Sequence, residues 1–137
     1  MRRRTPIRRK GEAGQSLLET AVVIVIVFTV VFWIFELGWA MYTYSVMADA
    51  VNEGVRYAVV RSGGDPSGTQ ARVKAFAATS LHDVSAMNLL VTFPDGSATP
   101  PNRVRVKVTY TYVPWLAQFM PVTPAMSTYA EGRMIAQ

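Results

Sequence analysis

Residues 14–35 read Gly14-Gln15-Ser16-Leu17-Leu18-Glu19-Thr20-Ala21-Val22-Val23-Ile24-Val25-Ile26-Val27-Phe28-Thr29-Val30-Val31-Phe32-Trp33-Ile34-Phe35, and they set the architecture of the chain. As a helix, the nineteen residues from Leu17 to Phe35 span roughly 28 Å, close to the hydrocarbon thickness of a bilayer. Their β-branched content would disfavour a helix in water. In lipid the backbone has to pair with itself, so helix is enforced. A strand of nineteen residues would be far too long. Glu19 is the one carboxylate within the run, and a charge at the edge of a bilayer is costly enough to suggest a purpose.

Outward from this stretch, charge is uneven. Arg2, Arg3, Arg4, Arg8, Arg9 and Lys10 crowd the fourteen residues that Gly14 closes, against one acid, Glu12. The rest of the 137-residue chain carries eight basic and eight acidic residues. The basic excess thus belongs to the leader, where it points to topology rather than to nucleic acid. The leader is expected to stay in the cytoplasm and everything after Glu36 to lie outside, with Trp33 and Trp39 at the far interface. Glu36 itself reads as a solvated interfacial charge. The absence of cysteine excludes disulfides and thiol chemistry.

Past the apolar run the pattern becomes one-sided. Met41, Tyr44, Ala48, Val51, Val55 and Ala58 recur at spacings of three and four and predict one buried face. Asp49, Asn52, Glu53 and Arg56 take the other, with Glu53 and Arg56 able to pair at i,i+3. The helix is expected to run to about Arg61, where Ser62-Gly63-Gly64-Asp65-Pro66-Ser67-Gly68 ends it. Thr69 then caps a short second helix with Val73, Phe76, Ala77 and Leu81 inward and Arg72 and Lys74 outward.

Leu89–Phe93 reads as a strand. Val104, Val106, Val108, Tyr110 and Tyr112 alternate with Arg103, Arg105, Lys107, Thr109 and Thr111, a second strand with one face buried and one wet. Pro114, Pro121 and Pro124 confine 115–120 to a loop or a single turn. Met126–Ile135 is a third strand that Gly132 weakens. The expected fold is α+β: a long N-terminal membrane-spanning helix continuing into a small domain with a second short helix and an antiparallel sheet of about three strands. The divisions are a basic cytoplasmic leader over 1–14, the transmembrane and extended helix over 15–61, and a small periplasmic domain over 62–137.

The basic leader, Gly14, Glu19 as the fifth residue after it, and the continuous apolar helix together resemble the class III signal of type IV pilins and pseudopilins. The chain is similar to the TadE-like pseudopilins of tight-adherence pili. The resemblance is firm from Gly14 to about Arg61 and looser over Arg103–Tyr112, Pro114 and the closing segment. It implies cleavage between Gly14 and Gln15 by a membrane-embedded prepilin peptidase. It also implies pairing of Glu19 with the freed amine of a neighbouring subunit during assembly. The chain departs from common pilins in having Gln15 where an aromatic residue is frequent. The expected role is that of a minor pseudopilin. Its partners would be the prepilin peptidase, other pilin-like subunits, the assembly machinery and membrane lipid, with no nucleic acid. It would sit in the bacterial inner membrane with a single pass and be available for incorporation into a pilus.

Two other readings use the same residues. One is a single-pass membrane protein that never polymerises and whose outward domain senses or binds a ligand. The other is a secreted domain freed after Ala40, since Gly38-Trp39-Ala40 offers the small residues a signal peptidase accepts. The length of the apolar run and the helical pattern continuing through Ala40 weigh against the second. The stripe of Arg103, Arg105 and Lys107 could meet acidic lipid, polymer or DNA, but reads more simply as the wet face of a strand that also discourages edge-to-edge aggregation. Tyr110, Tyr112, Trp115 and Phe119 read as core or subunit interface. His82 has no second ligand at metal spacing. No nucleophile–base pair, glycine-rich phosphate loop or metal-ligand cluster suggests an enzyme or a cofactor.

Overall fold

The structure is a computed structural model that describes residues 10–61, 65–81, 83–115, 117 and 123–135. Helix α1 covers Lys10–Val59, α2 covers Pro66–Ala77, and three strands follow, β1 Met87–Thr92, β2 Arg103–Thr111 and β3 Ala125–Arg133. The expected α+β architecture is therefore present. The chain divides into two compact units, residues 1–37 and 38–137.

In the first unit, α1 exposes apolar side chains on every side: Leu17, Val22, Phe28, Trp33 and Leu37 are all uncovered. A helix apolar all round belongs in a protein core or in lipid. Its two threonine hydroxyls are satisfied within the helix. Thr20 donates to the Ser16 carbonyl at 2.8 Å and Thr29 to that of Val25 at 2.8 Å. Such back-bonding leaves no hydroxyl hydrogen seeking water.

In the second unit, α1 presents one packed face: Thr43, Met47, Ala50, Val51, Gly54, Val55 and Ala58 are buried. The expected face was right at Val51, Val55 and Ala58 and out of phase before them, for Met41 and Tyr44 are exposed. The face is set by small residues. A Cβ on Gly54 would run into the Val73 side chain of α2, and one on Gly132 of β3 would come within 2.6 Å of Val55 and 2.7 Å of Val59. Gly132 is thus the point where β3 passes close beneath α1, rather than a weak spot in the strand.

The sheet order is β1-β2-β3, antiparallel throughout. Val104, Val106 and Val108 of β2 are completely buried beneath α1 and α2, as their alternation predicted. β2 is the central strand, so its charged stripe guards no edge. The edge at β1 is met by α2, whose Gln70 amide donates to the Leu89 carbonyl at 3.4 Å. β3 ends where the Ile135 amide donates to the carbonyl of Val59.

Helix α2 is capped four residues earlier than expected. Asp65, at φ 34°, is the N-cap; its carboxylate accepts from the Gly68 amide at 3.1 Å and from the Tyr57 hydroxyl at 3.1 Å. Asp tolerates left-handed backbone better than most residues, and Pro66 supplies a fixed φ at the first helical position. Thr69 lies buried inside the helix. Val73, Ala77 and Leu81 face the core as expected, whereas Phe76 is exposed. Arg72 points toward α1 and meets Glu53 at 2.8 Å, while the anticipated Glu53–Arg56 pair is only at 4.0 Å.

The β1–β2 connection is clamped by Asp95. Its carboxylate accepts from the Arg103 backbone amide at 2.8 Å and from the Arg103 guanidinium at 2.8 Å. These bonds hold the Asp95 carboxyl down at about 2.

Two expectations follow. Valine is stiff about χ1, so the close approach has little slack: Gly54→Ala and Gly132→Ala should each cost about 1–3 kcal/mol, read as a lower melting temperature in detergent, while Gly38→Ala, where a Cβ meets nothing, should not destabilise. Asp95 has a folded pKa below its unfolded value of about 3.9. Its contribution is complete above that value and is lost as pH falls through about 2. Melting temperatures taken between pH 5 and pH 2 should fall less steeply for Asp95→Asn than for the unsubstituted chain.

Candidate processing and assembly site

The residues singled out at the N-terminal end lie on one continuous helical stretch. Gly14, Gln15 and Glu19 all fall within α1, which starts at Lys10 and so runs through the end of the leader without a break. One helical turn separates Gln15 from Glu19, and the Gln15 side-chain amide donates to the Glu19 carboxylate at 3.3 Å. Both side chains are exposed. Facing residues four apart is what a helix dictates for any such pair. The consequence here is specific: the carboxylate is held against the residue that follows Gly14.

Gly14 has no internal justification. A Cβ there would meet nothing within 4 Å. In a helix interior glycine costs about 1 kcal/mol against alanine. Neither close packing nor positive φ requires it, in contrast to Gly54 and Gly132. The same is true of Glu19, whose carboxylate accepts from a side chain on its own turn. A carboxylate can accept up to about four hydrogen bonds, so Glu19 retains acceptor capacity for a cation.

The remaining candidates separate. Arg103 and Arg105 of the charged stripe are paired, Arg103 with Asp95 and with Glu131 at 3.3 Å, and Arg105 with Glu131 while lying 5.2 Å from the centroid of the Tyr129 ring. Exposed pairs of this kind contribute little to stability, but they spend the positive charge that an acidic polymer would have to meet. Glu36 is half-buried. Tyr112 is buried and Tyr110 partly so, whereas Trp115 is 86% exposed and is not core. Phe119 and His82 lie outside the described residues. Among the described residues no group of three or more His, Cys, Asp or Glu side chains could hold a metal ion.

Sequence reasoning missed Arg72 as the main partner of Glu53 and Asp65 as a cap bound to Tyr57. The hydrogen bond from Arg72 is the largest influence holding the Glu53 carboxyl below its ordinary value, and the Gly68 amide is the largest for Asp65. The signal for Asp65 was present as Asp-Pro followed by Gly68. None existed for Arg72, since that contact is nineteen residues away in sequence.

Residues 14–56 match the model of a family described as TadE-like protein. No curated protein and no solved structure matches the chain. The matched stretch opens at Gly14 and takes in Glu19, the apolar run and all of the packed face of α1 except Ala58. Over residues 14–56, then, the chain is similar to the TadE-like protein family.

Proposed function

We propose that the chain is a minor pseudopilin of a tight-adherence pilus, cut after Gly14 by a prepilin peptidase and assembled with other pilin-like subunits through its apolar helix. It would be inserted in the bacterial inner membrane with the arginine-rich leader in the cytoplasm and residues 38–137 outside. The observation that carries this reading is the family match beginning at Gly14, joined to a helix apolar on every side and long enough to cross a bilayer.

The physics of the step is direct. Hydrolysis of the Gly14–Gln15 peptide bond by water yields a carboxylate on the leader and an amine on Gln15. At neutral pH that amine is largely protonated. Glu19 then has a cation of matching charge one turn away on its own chain, and equivalent amines on neighbours. Within the membrane edge two opposite charges attract far more than in water. Leaving either one unpaired costs on the order of several kcal/mol. An apolar rod carrying this acid is therefore under pressure to find an amine. The Gln15 amide is a neutral placeholder, weaker than a charge-assisted contact.

In this reading the chain itself catalyses nothing. The processing chemistry belongs to the peptidase, and this chain supplies a scissile bond in an exposed position. What it supplies afterwards is a charge pair and a lipid-compatible surface.

N-terminal sequencing of the mature protein from cells with an active prepilin peptidase should begin at Gln15, and a start at Met1 or Met41 would refute cleavage after Gly14. Gly14→Val, where the added side chain meets nothing in the fold, should leave the domain folded and the leader uncleaved. Glu19→Ala should be cleaved normally yet be missing from pilin-like assemblies isolated from the cell surface. Full incorporation of that variant would remove amine pairing from the account.

A further inference from the structure

The loop between β2 and β3 leaves Val113 62% and Trp115 86% exposed. Tryptophan is the largest side chain available, and leaving it this open in water is unusual unless something else covers it. The chain from Tyr112 to Thr123 contains no charged residue. What lies near this loop within the same unit can be read from the packing of α1 against the sheet. Ala58 packs with Val104, and a Cβ on Gly54 would touch Val106 at 3.6 Å. Moving along β2 from Val104 to Val106 therefore moves back along α1 toward its N-terminal end.

From Val106 to Tyr112 is six strand steps, about 20 Å at roughly 3.3 Å each. At about 1.5 Å per helical residue that distance reaches back some thirteen positions from Gly54, to about Met41. Burial agrees: Thr43 is the first buried residue of the packed face, and Tyr112 is buried just past the end of β2. The loop carrying Val113 and Trp115 thus stands at the level of Trp39 and Tyr42, whose rings are 5.5 Å apart. Trp39 is itself 47% exposed. Amphipathic rings collected at one level beside an apolar helix are what a bilayer interface selects.

We propose that Val113 and Trp115, just past the end of β2, insert into the lipid interface as a second membrane contact. The occupant of this patch is the lipid surface: the loop offers a wedge without charge, and the helix entering the unit at Gly38 comes directly from the apolar run. The contact would orient residues 38–137 against the membrane and be released when the subunit is extracted. The inference rests on the membrane reading of residues 17–35.

The chain has three tryptophans, Trp33, Trp39 and Trp115, which allows each to be watched alone. Full-length variants retaining one Trp, with the other two changed to Phe, are reconstituted in phosphatidylcholine vesicles with or without lipids brominated on the acyl chains near the headgroups. In the Trp33→Phe/Trp39→Phe variant, Trp115 emission should be blue-shifted relative to hydrated indole and lose most of its intensity in brominated lipid. Emission typical of water, quenched by iodide but not by bromolipid, would overturn the proposal. So would blue-shifted emission insensitive to both quenchers, which indicates burial against another protein molecule. The variant retaining only Trp33 separates the two levels of inference. If Trp33 is quenched by bromolipid and Trp115 is not, only the loop contact fails; if neither is quenched, the membrane reading fails as well. The difference spectrum between the unsubstituted chain and Trp115→Phe reports the same indole with the helix untouched.

Discussion

The rest of the structure depends on one helix serving two solvents. Between Ala21 and Phe35, α1 is apolar on all sides, with no face covered by its own chain. From Thr43 on, it has one packed face and one wet face. No single amphipathic period could describe both. In the first regime every side chain has to tolerate hydrocarbon, and even the threonines return their hydroxyls to the backbone. In the second, the face is shaped less by large apolar residues than by the absence of side chain at Gly54 and its shortness at Ala50 and Ala58. These let α2 and the sheet approach closely, and dense contact of this kind is where dispersion and burial add up.

That distinction explains what could and could not be read from residues alone. The long helix, the alternating valines of β2 and the three-stranded antiparallel sheet all rest on hydrophobic periodicity, and that signal is strong where large residues carry it. It failed where small ones do. Met41, Tyr44 and Ala48 matched a three-four spacing and attracted the assignment, yet the buried set before Val51 is Thr43, Val46, Met47 and Ala50. Hydropathy rewards the exposed Met41 and Tyr44 and is nearly blind to Ala50 and Gly54. Gly132 was misread for the same reason, because a missing side chain looks like weakness until the valines that occupy its space are known. Long-range polar contacts, such as Arg72 with Glu53, leave no local trace at all.

At the proposed processing site the relation between residue and fold is reversed. Gly54 and Gly132 are glycines because the chain itself forbids anything larger. Gly14 could carry a side chain without touching anything, and Glu19 engages a residue on its own turn. Both were legible in sequence, where their spacing from the basic leader and the apolar run drew notice. Neither gains a reason from the fold. A glycine that lowers helix propensity by about 1 kcal/mol and a carboxylate set in a greasy segment are costs to the isolated chain.

Such costs persist when another molecule recognises the residues that incur them. The family match starts at the first of these two residues and covers the second, which is where an external reader would have to look. The same reasoning bears on Trp115. A buried Tyr112 three positions away shows that this end of β2 can cover an aromatic ring when the fold needs it covered. Trp115 is exposed instead, on a stretch without charge. Glycine, acid and tryptophan are each poorly explained by the chain in isolation. Each becomes intelligible once its surroundings include, respectively, a protease, an amine and a lipid headgroup region.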